Sequence, residues 1–174
     1  MSSTTGRNRV AFDYYPTPDW CADAALKIFG ANWTLDPSAG DGALIRAVIR
    51  ADVNTTIRGI EIQPELAVLC PGCGVGDGLS HSWKYERVIA NPPFANAIDW
   101  MEKACVEADA ALFLVRLAML SSKTRKAFWQ KYPPKLIAVL SQRPSFTGGK
   151  TDSADYMWVG WKRGNVEPTR MVWL

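Results

Sequence analysis

Four stretches of the chain carry residue types whose spacing could do chemistry. The first is Asp36-Pro37-Ser38-Ala39-Gly40-Asp41-Gly42. Gly40 and Gly42 let the backbone turn tightly and approach a ligand just before a helix begins. Such turns often serve phosphate, but Asp36 and Asp41 would repel it; they favour a cationic or polyhydroxylated ligand. The second is Glu61 in "GIEIQP", about twenty residues further on, where an acidic side chain at a strand end can accept from both hydroxyls of a ribose. The third is Asp77 in "GVGDGLS", placed to accept from an exocyclic amine such as that of adenine, with Gly78 beside it. The fourth is Asn91-Pro92-Pro93-Phe94, a stiff turn after an apolar run. Proline fixes φ and carries no N–H, so Asn91 and Pro92 offer carbonyl acceptors in a setting of few competing donors.

The elements that must position these stretches alternate. Apolar runs at "WTLDP", "TIRGIEI", "ERVIAN", "AALFLVRL" and "KLIAVL" read as strands, with a further short one before Asp77. Between them, "PDWCADAALKIF", "ALIRAVIRAD", "PELAVLC", "NAIDWMEKACVEA" and "SSKTRKAFWQKY" read as helices, the first opening at Pro18 after a Thr17 able to cap and closing at Gly30. Strands alternating with helices predict βαβ units and a parallel sheet. After "KLIAVL" the rhythm breaks, and "DYMWVGWKR" is expected to enter antiparallel. The expectation is an α/β, Rossmann-like fold with a mostly parallel seven-stranded sheet, an antiparallel C-terminal strand and helices on both faces. Ligands in such sheets sit beyond the carboxyl ends of the strands, where all four stretches fall.

At 174 residues, with 48% apolar and 21% charged residues, the chain has the size and composition of one globular domain. No apolar run is long enough for a membrane span, and the N-terminus lacks the apolar stretch of a secretory signal, so a cytoplasmic location is expected. Cys70 and Cys73 form a CxxC without a second pair of ligands, and small buried thiols are the preferred reading over structural zinc. The net charge is only +3, but Arg116 to Thr151 holds eight basic residues and no acidic one. That block is expected to face a polyanion.

In sequence order, "YYPTP" (Tyr14 to Pro18), "DPSAGDG", "GIEI", Asp77 and "NPPF" resemble the S-adenosylmethionine-dependent DNA adenine-N6 methyltransferases, in particular small members carried by phages and prophages. The resemblance covers about Tyr14 to Trp161 and implies a class I methyltransferase fold. It implies S-adenosyl-L-methionine as cofactor and no metal. Thr17 and Pro18 would lie by the methionine moiety, Tyr15 would also contact the cofactor, and Asp36, Ser38, Ala39, Gly40 and Gly42 would line it through the first turn. Glu61 would hold the ribose, Ile62 would pack on the adenine, and Asp77 with Gly78 would receive its amino edge. Asn91, Pro92, Pro93 and Phe94 would be catalytic, with Asn91 also bordering the cofactor.

An adenine amino nitrogen is a poor nucleophile because its lone pair is delocalised into the ring. Two fixed acceptors on its hydrogens favour pyramidalisation and expose the lone pair, and Phe94 can stack on the base. Cytosine-C5 chemistry would need a thiolate preceded by proline, whereas Cys70 precedes Pro71. The target base must be extruded from a duplex or already unpaired. Phe146, in "QRPSFTGG", resembles the family's later motif, which implies an aromatic packing on the base from the other side, and Lys123, Arg125, Lys126, Arg143 and Lys150 are expected to contact phosphates. Trp129, in the basic helix, is the tryptophan expected to offer nucleic-acid stacking.

The chain between Phe94 and Arg143 is filled by helices and strands. A single catalytic domain over residues 1–174 without a separate target-recognition domain is therefore expected, acting on DNA as monomer or homodimer with weak or short sequence specificity. A phage setting would suit protection from restriction. The alternatives are an RNA adenine-N6 methyltransferase, a protein glutamine methyltransferase and a cofactor-binding module without turnover.

Overall fold

The computed structural model describes residues 14–146, 149 and 151–174. Strands β1 (Leu35–Asp36), β2 (Arg58–Glu61), β3 (Cys73–Val75), β4 (Arg87–Ala90), β5 (Ala110–Arg116), β6 (Leu136–Val139), β7 (Tyr156–Lys162) and β8 (Arg170–Trp173) form one sheet. Its order is β3-β2-β1-β4-β5-β7-β6-β8. Strand β7 runs antiparallel between β5 and β6, and the other pairings are parallel.

The antiparallel insertion is the one the sequence predicts, but the sheet has eight strands rather than seven. Strand β8 follows β7 and lies parallel to β6, with Ile137 opposite Met171 and Val139 opposite Trp173. Its four residues follow Pro168 and carry no pattern long enough to identify them; pairing with β6 is what makes them a strand.

Helices cover both faces. Helices α1 (Asp19–Phe29) and α2 (Ala43–Ala51) lie on one. Cys21, Ala25, Leu26, Leu44, Ile45 and Val48 there pack with Ile89, Leu112, Leu114 and Trp158. Helices α4 (Ala97–Glu107) and α5 (Lys126–Lys131) lie on the other. Ala97, Trp100, Met101 and Ala104, at helical spacing, and Phe128 meet Val88, Phe113, Val115 and Val159 there. Strand β5 is buried on both sides and splits its residues between the two cores, as the continuous apolar run requires. The short helix α3 (Pro64–Ala67) joins β2 to β3.

Two elements differ from expectation. Helix α1 begins after Pro18, which occupies the N-cap position without a side-chain cap, so Thr17 does not serve as one. The basic helix is short: Leu117–Leu120 form a 3₁₀ turn, Lys123 precedes the helix and Arg125 is its N-cap residue. Ser122 bonds to Thr124, a local side-chain interaction that competes with helix. Cys70 and Cys73, expected as small buried thiols, are instead paired with each other across a turn, their Cα atoms 5.4 Å apart. No helix among the described residues is long and apolar enough to cross a membrane.

Candidate cofactor and substrate site

Strand β1 lies between β2 and β4, and its chain leaves towards β2 while β4 continues the sheet the other way. A crevice opens at the carboxyl ends of two strands whose connections diverge, and β1 and β4 are that pair. A cavity of about 650 Å³ occupies it. Thr17, Asp36, Ser38, Ala39, Gly40, Glu61, Ile62, Asp77, Gly78, Asn91 and Pro93 line it together with Tyr15, so the sequence motifs converge on one chamber. Pro18, Gly42, Pro92 and Phe94 are not among its walls.

The first turn is held by the second strand. Glu61, only 6% exposed, accepts from Gly40 N at 2.7 Å through Oε2 and from Gln63 N at 2.9 Å through Oε1. Each carboxylate oxygen keeps a second acceptor position, so the side chain can fix the turn and still receive hydroxyls. Gly40 has φ +54°, and a Cβ there would come within 3.0 Å of the Tyr14 ring, so both backbone conformation and crowding demand glycine. Gly42, with φ +87°, is the N-cap residue of α2 rather than a wall.

Asp36 ends β1, is almost fully buried and accepts from Ser38 N at 3.1 Å. Burial pushes its carboxyl up to about 8; the Ser38 N–H opposes the rise and the nearby Glu61 charge adds to it. Asp41 pairs with Arg46 through Oδ2, while its buried Oδ1 has no partner among the described residues. Asp77 caps the turn after β3, accepting from Leu79 N and Ser80 Oγ. Asp36, Asp41, Glu61 and Asp77 all border the cavity, and among the described residues no Lys or Arg does. Such a chamber suits a ligand bearing positive charge and hydroxyls and repels phosphate.

Across the crevice, Asn91 donates from Nδ2 to the Tyr15 carbonyl at 2.8 Å. That bond sets the amide orientation, because only the NH₂ end can donate to a carbonyl. The other end, Oδ1, is buried and has no hydrogen-bond partner among the described residues. Ser38 Oγ reaches the Asn91 carbonyl at 3.4 Å, tying the turn after β1 to the turn after β4. The site therefore holds an oriented acceptor with nothing to accept, at a cost of about 1–3 kcal/mol if it stays dry.

Phe94 stands just outside, in an aromatic group. Its ring stacks on Tyr15 at 5.3 Å and lies 6.1 Å from Phe146 and 5.6 Å from Tyr156. Phe146 is 5% exposed and belongs to the core in this arrangement. The guanidinium of Arg116 lies over the Phe94 ring, 4.7 Å from its centre.

Sequence motifs do not reveal every wall. Tyr14, Leu44, Asn96 and Trp100 also line the cavity. Trp100 lies on the inward stripe of α4, a periodicity visible in sequence as core. Gly78 has a reason of its own: a Cβ there would collide with the Pro37 carbonyl oxygen and come within 3.0 Å of Trp100 Cη2.

The basic block is less bare in space than in sequence. Lys131 pairs with Glu102, Lys135 with Glu167, and Arg143 with Asp155 at 2.7 Å. Lys123, Arg125 and Lys126 have no carboxylate within salt-bridge distance among the described residues. Lys123 and Lys126 border a groove with Trp129, whose ring stacks on Trp161. Lys150 lies outside the described residues.

Among solved structures, a protein of Listeria monocytogenes described as a class I S-adenosylmethionine-dependent methyltransferase superposes over 96% of this chain and 68% of its own, with TM-score 0.74 and 16% identity. This is the class I methyltransferase fold. The modification (M) protein of the type I restriction enzyme EcoKI shares that fold with TM-score 0.65 and 14% identity over 90% of this chain, which spans 45% of that protein. A Pyrococcus horikoshii protein described as an RNA methyltransferase matches with TM-score 0.63 and 16% identity, over 85% of this chain and 86% of its own. No family model and no curated protein sequence matches the chain.

Proposed function

We propose that the chain transfers a methyl group from S-adenosylmethionine to the N6 amino group of adenine in DNA, with low or short sequence specificity. The observation that carries this reading is the buried, oriented and unpartnered Oδ1 of Asn91 at the wall of an acid-lined cavity. A site of this kind asks for a neutral N–H donor, which an aromatic amine supplies.

The walls fit the cofactor. S-adenosylmethionine carries positive charge on sulfur and on its amino group, two ribose hydroxyls and an adenine; the cavity offers four acidic side chains and, among the described residues, no basic one. Asp36, Ser38, Ala39 and Gly40 would border the methionine part, with Tyr15 and Thr17 opposite. Glu61 would take the ribose hydroxyls on its free acceptor positions, and Ile62, Asp77 and Gly78 would border the adenine. Bound there, S-adenosylmethionine would supply a methyl group from its positively charged sulfur: as the carbon–nitrogen bond forms the carbon–sulfur bond breaks, leaving a neutral thioether, and the methylated nitrogen gives one proton to solvent.

The chain's own residues act on the amine. Asn91 Oδ1 and the Pro92 carbonyl accept its two hydrogens, drawing the nitrogen towards a pyramidal geometry. Because Nδ2 is already bonded to the Tyr15 carbonyl and proline fixes the turn, the amide is oriented before the surrounding aromatic group opens to admit the amine. Phe94 would be the aromatic surface for the base, joined by Phe146 only once that ring leaves its core position.

DNA is preferred because Lys123, Arg125 and Lys126 make no ion pair with a carboxylate among the described residues, and because structural neighbours include the EcoKI M protein. Between Phe94 and Arg143 the residues are spent on α4, β5, α5 and β6, which supports weak or short specificity within a single catalytic domain. RNA is the second reading, favoured by the likeness to the Pyrococcus horikoshii protein over most of its length.

Incubation with labelled S-adenosylmethionine and DNA, RNA or protein, followed by digestion and mass spectrometry, tests the proposal. N6-methyladenine from DNA is expected, and its absence would sink the DNA reading. Asn91→Ala should lower kcat by at least about a hundredfold, the scale of losing a preorganised donor or acceptor, while cofactor affinity stays within a few-fold. Retained turnover would remove Asn91 from the catalytic role.

A further inference from the structure

The cavity is open, yet the aromatic platform beside it is covered. Pro93 borders the chamber while its half-buried neighbour Phe94 does not; the Phe94 ring packs with Tyr15, Phe146 and Tyr156, and the Arg116 guanidinium lies over it. Arg116 closes β5 directly opposite Tyr156, the first residue of β7. Its Nε donates to Tyr156 Oη at 3.4 Å, and that hydroxyl donates to Asp152 Oδ2 at 3.2 Å. The side chain is thus drawn across the ring while the residue as a whole remains exposed.

A guanidinium is planar, delocalised and weakly hydrated, so it covers an aromatic face much as a base does. With its carbon 4.7 Å from the ring centre, no second ring fits between the two groups. We infer that Arg116 occupies the base-stacking face of Phe94 in the free protein and that an incoming adenine displaces it. The displaced guanidinium remains at the end of β5, within the length of its own side chain of the base, where it pairs with a phosphate flanking the extruded nucleotide. Arg116 is therefore a positioning residue with two partners in turn: the ring before substrate arrives and the polynucleotide backbone afterwards. This inference rests on the reading of Phe94 as the base platform.

Stacking of 2-aminopurine, seen as fluorescence quenching with cofactor present, separates the two roles. As a free nucleoside it carries no phosphate, so Arg116→Ala should tighten its binding by about two- to fivefold, the worth of an exposed cation–π contact. Within a single-stranded oligonucleotide, Arg116→Ala should reduce the slope of log affinity against log salt by about one. Arg116→Lys should restore that slope. Nucleoside binding that is unchanged or weaker in Arg116→Ala would overturn the competition while leaving the base platform in place. No quenching in wild type or variant, with cofactor binding intact, would overturn the platform and the inference with it.

Discussion

Replacing Asp36 with Asn tests how the cofactor chamber handles charge. The carboxyl is about 1% exposed, has Glu61 as a buried acidic neighbour and is pushed by burial from an ordinary 3.8 up to about 8. At pH 7 it lies about one unit below its pKa, so roughly ten molecules hold the proton for each that has lost it. A ligand bringing positive charge into the chamber favours the ionised form. Binding of S-adenosylmethionine should therefore release close to one proton at pH 7, with affinity rising up to about tenfold per pH unit towards pH 8 and levelling above it. Titration calorimetry at pH 7 in buffers of different ionisation enthalpy reads the released proton directly. Asp36→Asn should abolish the release and flatten the pH dependence. A wild-type binding enthalpy indifferent to the buffer would refute the linkage.

The same substitution has a stability signature of fixed sign. Because the folded pKa is raised above the unfolded one, the contribution of Asp36 is fully present below about pH 4 and is lost as pH rises through about 8. The four-unit shift sets a ceiling of about 6 kcal/mol, and relaxation around the ion should reduce this to about 2–4 kcal/mol. Denaturant unfolding should show the free energy of the wild type falling relative to that of Asp36→Asn between pH 5 and 9. Parallel curves would refute the placement of a protonated carboxyl in the core.

Two further outcomes concern shape and surface. Gly78→Ala forces a methyl against the Pro37 carbonyl and Trp100, and should cost about 1–3 kcal/mol in denaturant unfolding, the usual range for overpacking, and weaken cofactor binding; a wild-type midpoint would mean the turns yield freely. Replacing Lys123, Arg125 and Lys126 together with Ala should weaken DNA binding alike for all sequences and reduce the salt slope by about two to three; an unchanged slope would move the nucleic-acid face elsewhere.

What could be read from the sequence was local. Asp36 to Gly42, Glu61, Asp77 and Asn91 each sit at a strand's carboxyl end, so recognising the strand was enough to place the residue on the ligand edge. The continuous apolar run of β5 and the inward stripe of α4 likewise gave away a sheet covered on both faces. Contacts between distant residues stayed hidden. Strand β8 is four residues long and exists through β6. The block from Arg116 to Thr151 has no acid within it, but Glu102, Glu167 and Asp155 come from outside to neutralise Lys131, Lys135 and Arg143. Nothing near Arg116 in sequence indicates that its side chain crosses to Phe94, twenty-two positions earlier.

The two halves of the site are built from different materials, and this bears on the substrate. The cofactor half is fastened by backbone groups: Ala39 N bonds to Ile60 O, Gly40 N to Glu61, and Ser38 Oγ to the Asn91 carbonyl. Its geometry is set before any ligand enters. The base half is a group of side chains packed on one another, and opening it means parting Arg116 from Phe94 and shifting Tyr15 or Phe146. For the proposed nucleic-acid substrate, those rearrangements, together with the unstacking of a base, would have to be offset by contacts to the polymer. With three of the downstream cations already paired to acids, few phosphate contacts are left to offset them. Under the proposed adenine-N6 reading, the balance would favour adenines that leave their stack cheaply, in single strands, mismatches or frayed ends, and selection would follow ease of extrusion rather than a read sequence.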